Sequence, residues 1–476
     1  MVAAPVMLRS GTMVLGANIV DVAAVLLRNI ILARLLPVEQ FGLAATFSIL
    51  MTMVETFQNV GLNRLVVQDA RADHPDFVAR LHGAQIAVSL GATLLLATFA
   101  YPFALAMGTP SLTPAYLLLA LVPLANAFVN LETFRMQRDG RFGPQVLRSI
   151  LSQPVGLLAL VPGYWWLGDH RAALVAIMAQ QITAVVLTHI NVRPRFSLAF
   201  DPTVMRTVAA FGWPLIVNGL LMFLILNGDR IIVLRQFGPA TLGWFSAAVM
   251  LTLTPANLIL RTIQTIVLPL LSKMQSDRPA FQRIYDTSCS TSALVGVVAV
   301  LGSLLFGPLV IGLLFGPKFL PAATVITPLA CMNALRVLRI APTVAAMAHG
   351  ETRNPLYANV VRALGVPLAA VSAALTGAIW PMIVVGVAAE LAGAIAAGRL
   401  AHRRVGVDGA LYWRSLRLLG SCSMAALAIP WAQWPATLLI LSLLLVAIAR
   451  CGSHLGLTRL FRWDRWNWAA HRSHRT

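Results

Sequence analysis

Long apolar runs are the feature that most constrains how this chain folds. Stretches of roughly 20 apolar residues recur along it, which is the length a helix needs to cross about 30 Å of hydrocarbon. Only 11% of the residues are charged, whereas soluble domains use about a quarter. Strands of a membrane barrel are shorter and alternate in polarity. The sequence therefore predicts an all-α integral membrane protein with about 14 transmembrane helices.

The basic residues are concentrated in alternate loops. With the N-terminus inside, about 27 of the lysines and arginines fall in cytoplasmic segments, including Arg148 and Arg362, and the opposite loops hold little beyond Arg171 and Lys318. This bias predicts that both termini are cytoplasmic. The tail at 451–476 mixes tryptophan and arginine, a pattern typical of a segment resting on anionic headgroups. The net charge of +19 therefore needs no nucleic acid partner.

Cysteine and glycine patterns indicate no bound cofactor. The four cysteines have no metal-ligand spacing and are interpreted as buried packing residues, without a disulfide. The stretch "GPK" at 316–318 lacks the GK[ST] pattern of a nucleotide-binding loop. We therefore expect no metal, no cofactor and no ATP-driven step in this chain.

An internal repeat organises the prediction into lobes. "RNIILARLLPVEQFG" (28–42) aligns with "DRIIVLRQFGPATLG" (229–243) at an offset of 201. Internal duplication is common in transporters. The predicted units are an N-terminal lobe of six helices (1–190), a cytoplasmic linker (191–206), a C-terminal lobe of six helices (207–400), two extra helices (401–450) and a basic cytoplasmic tail (451–476).

Polar side chains form stripes on the first, second, fourth, eighth and tenth predicted spans, at 11–34, 40–63, 114–134, 242–266 and 322–346. Arginine in the middle of a membrane costs on the order of 3 kcal/mol and must face protein or water. The stripes therefore predict a water-filled cavity, with isolated structural ion pairs as the alternative. The polar amides assigned to this cavity are Asn18, Asn59, Asn126, Asn130, Asn257 and Asn333.

Arginine leads among the charged residues of these stripes. Its planar guanidinium matches phosphate oxygens and keeps its charge at cellular pH, which favours a phosphate-bearing or otherwise acidic substrate. The substrate-binding candidates are Arg28, Arg261, Arg336 and Arg339.

Acidic residues within the spans have two readings. Asp21, Glu55 and Asp229 are candidates either for coupling to H⁺ or Na⁺ or for pairing with cavity arginines. Arg34 and Arg235 end their spans and are interpreted as structural. The same interpretation extends to Glu132 and Glu390.

Several stretches resemble one known family. "ILARLLPVEQFGLAATFSI", "NGDRIIVLRQFGPATLGWFSAA", "LPLLSKMQSDRPAFQRIY" and "LLFGPKFLPAATVITPLA" are similar to the Wzx-type polysaccharide flippases of the multidrug/oligosaccharidyl-lipid/polysaccharide exporter (MOP) superfamily. The resemblance implies two six-helix lobes around a cationic cavity that opens alternately to each side. It also places Arg28 and Arg261 near the diphosphate.

The resemblance also implies a cargo and a place. A polyprenyl-diphosphate-linked oligosaccharide would pass from the inner to the outer leaflet of a bacterial cytoplasmic membrane, for export of cell-surface polysaccharide. Its partners would be this lipid-linked oligosaccharide and membrane lipids, with polysaccharide polymerase and chain-length or export machinery beside them.

Two other functions share part of this evidence. A MATE-like multidrug antiporter would have the same architecture but should favour acidic and aromatic cavity residues. A membrane glycan polymerase or ligase needs a sizeable outer loop for catalysis, whereas the predicted outer loops are short, as at "GDHR" (168–171). We therefore expect a transporter and no enzyme. The sugar, the number of phosphates, the coupling ion and the oligomeric state stay open.

Overall fold

The computed structural model describes residues 3–58, 61–139, 141–190, 192, 196–351 and 353–428 of the 476-residue chain. In these ranges every regular element is a helix. The α-helices are α1 (Ala3–Leu35), α2 (Val38–Gln58), α3 (Leu62–Gln68), α4 (Pro75–Ala106), α5 (Thr113–Leu119), α6 (Val122–Asn126), α7 (Glu132–Arg138), α8 (Gly143–Leu167), α9 (Ala172–Leu187), α10 (Pro202–Lys273), α11 (Arg278–Leu314), α12 (Ala323–Leu338), α13 (Ile340–Ala348), α14 (Arg353–Ala363), α15 (Gly365–Thr376), α16 (Ile379–Val405) and α17 (Ala410–Ala428).

Eight helical stretches within the described ranges are long and apolar enough to cross a membrane. They are Val38–Gln58, Asp76–Ala106, Gly143–Leu167, Pro202–Lys273, Arg278–Leu314, Pro317–Ala348, Arg353–Thr376 and Ile379–Val405. The predicted class, an all-helical multi-pass membrane protein, is confirmed. Residues 429–450 of the two extra helices predicted over 401–450, and the basic tail at 451–476, lie outside the described residues.

The chain forms two compact units. The first comprises the described residues up to Met250 together with Val310–Ala322 and Val366–Met382. The second comprises Leu251–Leu309, Ala323–Gly365 and the described residues from Ile383 onward. In the second unit, Cys289, Cys331 and Cys422 are buried free thiols, as expected for packing residues.

The helix expected over 114–134 is broken in the structure. Pro123 at the start of α6 lacks the N–H group that would continue α5, and a second break separates the end of α6 at Asn126 from the start of α7 at Glu132. Between these points the amide nitrogen of Gln85 donates to the carbonyls of Asn126, Ala127 and Val129 at 2.8, 3.1 and 3.0 Å. One buried side chain thus satisfies backbone groups that a continuous helix would have satisfied itself.

The segment that precedes α10 is fixed to α4. Ala199 donates its N–H to the carbonyl of Ala79 at 3.1 Å, and Asp201 forms an ion pair with Arg80 at 3.0 Å. Asp201 also accepts hydrogen bonds from the side chain and backbone of Thr203, at 2.6 and 2.8 Å, which caps the start of α10. The hydrogen bond from the Thr203 hydroxyl is the main cause that lowers the pKa of the Asp201 carboxyl.

The helical run of α10 contains one break. Gly238 has φ 82° and ψ 175°, outside the helical region, so two helices meet there. Glycine adopts this conformation without the steric penalty that a Cβ atom brings. The break falls at the turn predicted between the seventh and eighth spans.

The two copies of the repeated segment touch each other reciprocally within the first unit. A Cβ atom on Gly42 would collide with the carbonyl oxygen of Pro239, and one on Gly243 would collide with the carbonyl oxygen of Val38. Gly42 and Gly243 are equivalent at the offset of 201, and so are Val38 and Pro239. Each copy therefore places its glycine against the start of the next helix in the other copy.

Equivalent arginines extend this reciprocal contact. Arg34 donates from Nε to the carbonyl of Leu314 at 2.9 Å and from Nη2 to that of Leu313, at the end of α11, beside Gly316. Its counterpart Arg235 lies beside Gly108, so that a Cβ atom there would be 3.4 Å from Nη1. Arg34 thus completes a helix end, which is the structural role expected of it.

Candidate functional site

The first unit contains a polar cavity of about 420 Å³. Its wall comes from α2, α3, α4, α6, α7, α8 and α9 and from the residues between them. The polar residues that line it are Glu55, Gln58, Asn63, Gln85, Ser89, Asn126, Arg148 and Gln181. A cluster of this polarity among membrane-spanning helices indicates a functional site rather than packing.

Two of the predicted residues, Glu55 and Asn126, lie on this wall. Glu55 and Gln58 are three residues apart on α2 and therefore share a face of that helix. The Asn126 amide donates to Gln58 Oε1 at 2.9 Å, linking the end of α6 to α2. The break after Asn126 separates it from Asn130, whose predicted place on the same stripe required one continuous helix. Asn130 is 1% exposed, and its side-chain oxygen accepts from the backbone N–H of Glu132.

Two arginines lie at or beside the cavity. Arg148 lines the wall and interacts electrostatically with Asp21 of α1. Arg28, two turns further along α1, donates to Gln180 Oε1 at 2.6 Å, and the next residue, Gln181, lines the cavity. The structure thus gives Asp21 a cationic neighbour and gives Arg28 a neutral one. A guanidinium held by a neutral amide keeps its full positive charge available for an anion.

Arg148 is a site residue that the sequence analysis counted among loop charges. Helix α8 begins at Gly143, so Arg148 lies inside it and not before it. A signal for this was present, because Gln145, Arg148 and Ser152 are spaced three and four residues apart and form a polar stripe. The prediction failed because a polar first turn looks like a loop in a hydropathy profile.

The second unit contains a buried ion-pair network. Glu390 of α16 accepts from Arg336 Nε at 2.6 Å and from Nη2 and Nε of Arg362, both at 2.7 Å. Exposure is only 3% for Glu390, 3% for Arg362 and 5% for Arg336. Arg336 thus forms a buried ion pair, which is the alternative to a water-filled cavity that the sequence left open. Arg362, counted above as a loop charge, lies within the stretch Arg353–Thr376 and is the second partner.

Asparagines complete this network. Arg336 Nη1 donates to Asn333 at 3.2 Å, and Arg362 Nη1 donates to Asn359 at 2.8 Å. Arg339 reaches the same Asn359 oxygen at 3.4 Å, and its buried Nε has no hydrogen-bond partner among the described residues. Two of the three arginines contact the carboxylate of Glu390 and the third, Arg339, contacts Asn359, so three cations and one anion leave this cluster with excess positive charge.

The remaining predicted residues are spread over both units. Arg261 is exposed on α10, one turn after Asn257, and belongs to the second unit, whereas Arg28 belongs to the first. A shared cavity for the two arginines stays a prediction. Asp229 precedes Arg230, whose guanidinium donates to the carbonyl of Ala45 at 3.4 Å. The Asn18 side chain and the whole of Asn59 lie outside the described residues.

Within the described residues, no group of three or more histidine, cysteine, aspartate or glutamate side chains is placed to hold a metal ion. The polar groups on the cavity wall are guanidinium, carboxylate, amide and hydroxyl groups.

The fold is that of the MOP superfamily transporters. An inward-facing MATE family multidrug resistance transporter of that superfamily superposes with a TM-score of 0.68 at 14% identity, over 81% of this chain and 94% of the transporter. The lipid II flippase MurJ, in an inward closed conformation, also gives a TM-score of 0.68 at 12% identity, over 92% of this chain and 98% of the flippase.

Sequence comparison identifies the family of this chain, which the shared fold alone does not. Residues 31–324 match the polysaccharide biosynthesis protein family, and the chain belongs to it. It is 22% identical over 337 residues to the lipopolysaccharide biosynthesis protein WzxC of Escherichia coli (strain K12), a match that covers 67% of this chain and 65% of WzxC. It is 26% identical over 157 residues to the amylovoran biosynthesis protein AmsL of Erwinia amylovora, over 33% of this chain and 39% of AmsL. The resemblance noted in the sequence is confirmed.

Proposed function

We propose that this protein is a flippase for a polyprenyl-diphosphate-linked oligosaccharide in the bacterial cytoplasmic membrane. The observation that carries the proposal is the polar cavity, with Arg148 on its wall and Arg28 beside it, inside a unit built from apolar helices. Membership of a polysaccharide biosynthesis family supports a sugar cargo. A fold shared with the lipid II flippase supports a lipid-linked one.

The architecture that we propose has about 14 spans with both termini in the cytoplasm. Two six-helix lobes related by the repeat carry the site, and the reciprocal contact of Gly42 and Gly243 supports that relation. Rocking of the lobes would expose the site to each leaflet in turn. The final two spans and the tail lie outside this pair of lobes.

The chemistry follows from the charges. A diphosphate and sugars cannot cross hydrocarbon unaided, so the head group occupies the polar cavity while the polyprenyl chain stays in an apolar environment. Arg28 and Arg261 bind phosphate oxygens, and Arg148 supplies a third cation. Asp21, Glu55 and Asp229 keep arginines paired in the empty state or exchange a coupling H⁺ or Na⁺. Within the network around Glu390, Arg339 has donor capacity left for an anion, because Glu390 is bonded to Arg336 and Arg362.

The decisive test is the accumulation of lipid-linked oligosaccharide in each leaflet after depletion of the protein. We expect build-up on the cytoplasmic side, relieved by the wild type and by neither Arg28→Ala nor Arg261→Ala, with each variant present in the membrane at normal levels. Arg171→Ala is the control, because Arg171 is exposed and pairs with Asp169 between helices.

Other outcomes separate the alternatives. Normal export by both Arg28→Ala and Arg261→Ala would remove these arginines from the site. Absence of build-up together with altered sensitivity to cationic drugs would assign the chain to the multidrug antiporters, whose fold it shares equally well.

A further inference from the structure

A second, apolar cavity of about 440 Å³ adjoins the polar one in the first unit. It lies between α4 and the start of α10, with Phe57 of α2 at one side. All thirteen residues that line it are apolar, and six of them are alanine or glycine, including Ala84, Ala87 and Gly91. We call this feature the α4–α10 groove.

The two cavities share a wall. Val88 lines both of them. On both α2 and α4, consecutive residues line different cavities. Phe57 of α2 and Ala84 of α4 line the groove, while the residues that follow them, Gln58 and Gln85, line the polar cavity. Helices α2 and α4 therefore divide an apolar space from a polar one by the width of a single helix.

Small side chains keep the groove open. A Cβ atom on Gly91 would meet no other atom within 4 Å, so the backbone of α4 is bare at this point. Across the groove, Ala209 and Gly212 of α10 present equally little bulk. Such a wall leaves room for a slender chain rather than for a bulky head group.

Charges mark the end of the groove. Arg80 lies one turn before the lining residue Ala84, Arg206 directly follows the lining residue Met205, and both arginines are exposed. Arg80 is held by Asp201 at 3.0 Å, whereas the groove itself contains no charged residue. Basic residues beside an apolar surface are typical of the headgroup level of a bilayer. In the predicted topology this is the cytoplasmic leaflet, where the cargo is made.

We propose that the α4–α10 groove binds the isoprenoid chain of the lipid carrier, with the chain passing Val88 while its phosphates enter the polar cavity. This inference rests on the proposed flippase function and adds the site of the tail. The occupant is the carrier and not a bulk phospholipid, because only a lipid whose head group belongs in the polar cavity uses both spaces at once.

The test is photolabelling of the purified full chain in nanodiscs. The probe is a polyprenyl phosphate with a diazirine in its first isoprene units, and a phosphatidylglycerol with a diazirine in its acyl chain is the comparison. We expect the polyprenyl probe to label 84–95 and 205–216, with competition by unlabelled polyprenyl diphosphate and none by phosphatidylglycerol.

A matched pair of glycines provides the variants. Gly91→Leu places a side chain in the groove and, by displacing about two methylene groups of the tail, should reduce labelling there about tenfold. Gly302→Leu is the control, because Gly302 also lies in a long helix with no atom within 4 Å of a built Cβ. It should label as the wild type does.

The contrary results are distinct. Equal labelling of the groove by both probes would mean that it holds ordinary acyl chains, which overturns the inference. Labelling confined to other helices, with Gly91→Leu still exporting glycan, would overturn the groove and leave the flippase function intact. Absence of specific labelling anywhere in the protein would overturn both.

Discussion

Arg148 places a positive charge on the wall of the polar cavity. It lines the wall and interacts with Asp21, and a wall residue of fixed charge suits the binding of phosphate. We expect Arg148→Gln to reduce glycan export by about tenfold or more, since a charge-assisted hydrogen bond contributes about 1.5 to 3 kcal/mol. The measurement is export in the depleted strain.

The conservative variant separates charge from geometry. Arg148→Lys keeps a point charge but loses the planar fork, so it should restore export in part. If Arg148→Gln exports normally at equal protein level, Arg148 serves only as the structural partner of Asp21.

We expect Glu390 to stabilise the fold of the second unit and to take no part in transport. It is the only carboxylate that Arg336 and Arg362 contact within the described network, and removing it leaves buried guanidinium groups without a counter-ion. We expect Glu390→Gln to lower the free energy of unfolding by about 3 to 5 kcal/mol. Denaturant unfolding of the purified protein in detergent measures this.

The control for that experiment is Glu351→Gln. The Glu351 side chain is 40% exposed and lies 3.8 Å from Arg404, so its loss should cost about 0 to 1 kcal/mol. Equal destabilisation by both variants would contradict the assignment of Glu390 as the centre of a buried network.

At this scale the sequence indicated which residue types matter more reliably than which partners they take. Helical spacing alone pointed to Glu55 and Asn126, although the stripe expected to join Asn126 to Asn130 is broken in the structure. The pairing of Glu390 with Arg362 was not, because 28 residues separate them and only the packing of α14 on α16 brings them together. Arg148 and Arg362 were misplaced for one reason, namely that each lies in a polar first part of a membrane helix.

At the scale of elements, close helix approach is the feature most open to test. Alanine at Gly42 or Gly243 places a Cβ atom inside a backbone carbonyl of the other copy, so the helices must separate. We expect either variant to lower thermal stability in detergent and to reduce export.

Gly302→Ala is the matched control, because a methyl group there meets no atom within 4 Å. It should leave stability unchanged or raise it slightly, since alanine favours helix over glycine by about 1 kcal/mol. Wild-type stability in Gly42→Ala would contradict the close contact.

Irregular elements mark the limit of prediction from hydropathy. The profile over 114–134 is continuous, yet the structure has α5, α6 and a break before α7. Pro123 was a visible signal, but the donor that makes the break affordable, Gln85, comes from another helix. A local pattern cannot report a partner about 40 residues away.

For the whole molecule, the resemblance of four short stretches to the Wzx-type flippases predicted the MOP superfamily, whereas the apolar runs and the repeated segment predicted a helical transporter. They are properties of composition and spacing, which survive even at 12 to 14% identity to proteins of the same fold. The α4–α10 groove was invisible in the sequence, because small apolar residues are ordinary in membrane helices and only their arrangement opposite α10 creates a space.

The reciprocal contact of Gly42 with Pro239 and of Gly243 with Val38 has a consequence for ancestry. The two contacts are equivalent, because Gly243 and Pro239 are the counterparts of Gly42 and Val38. Such paired equivalent contacts are the mark of an isologous interface, which two identical subunits form about a twofold axis. A polypeptide of about 200 residues carrying one copy of this segment could therefore have paired with itself as a homodimer. Fusion of two such genes would then preserve the contact, and later substitutions would let each half acquire charges of its own.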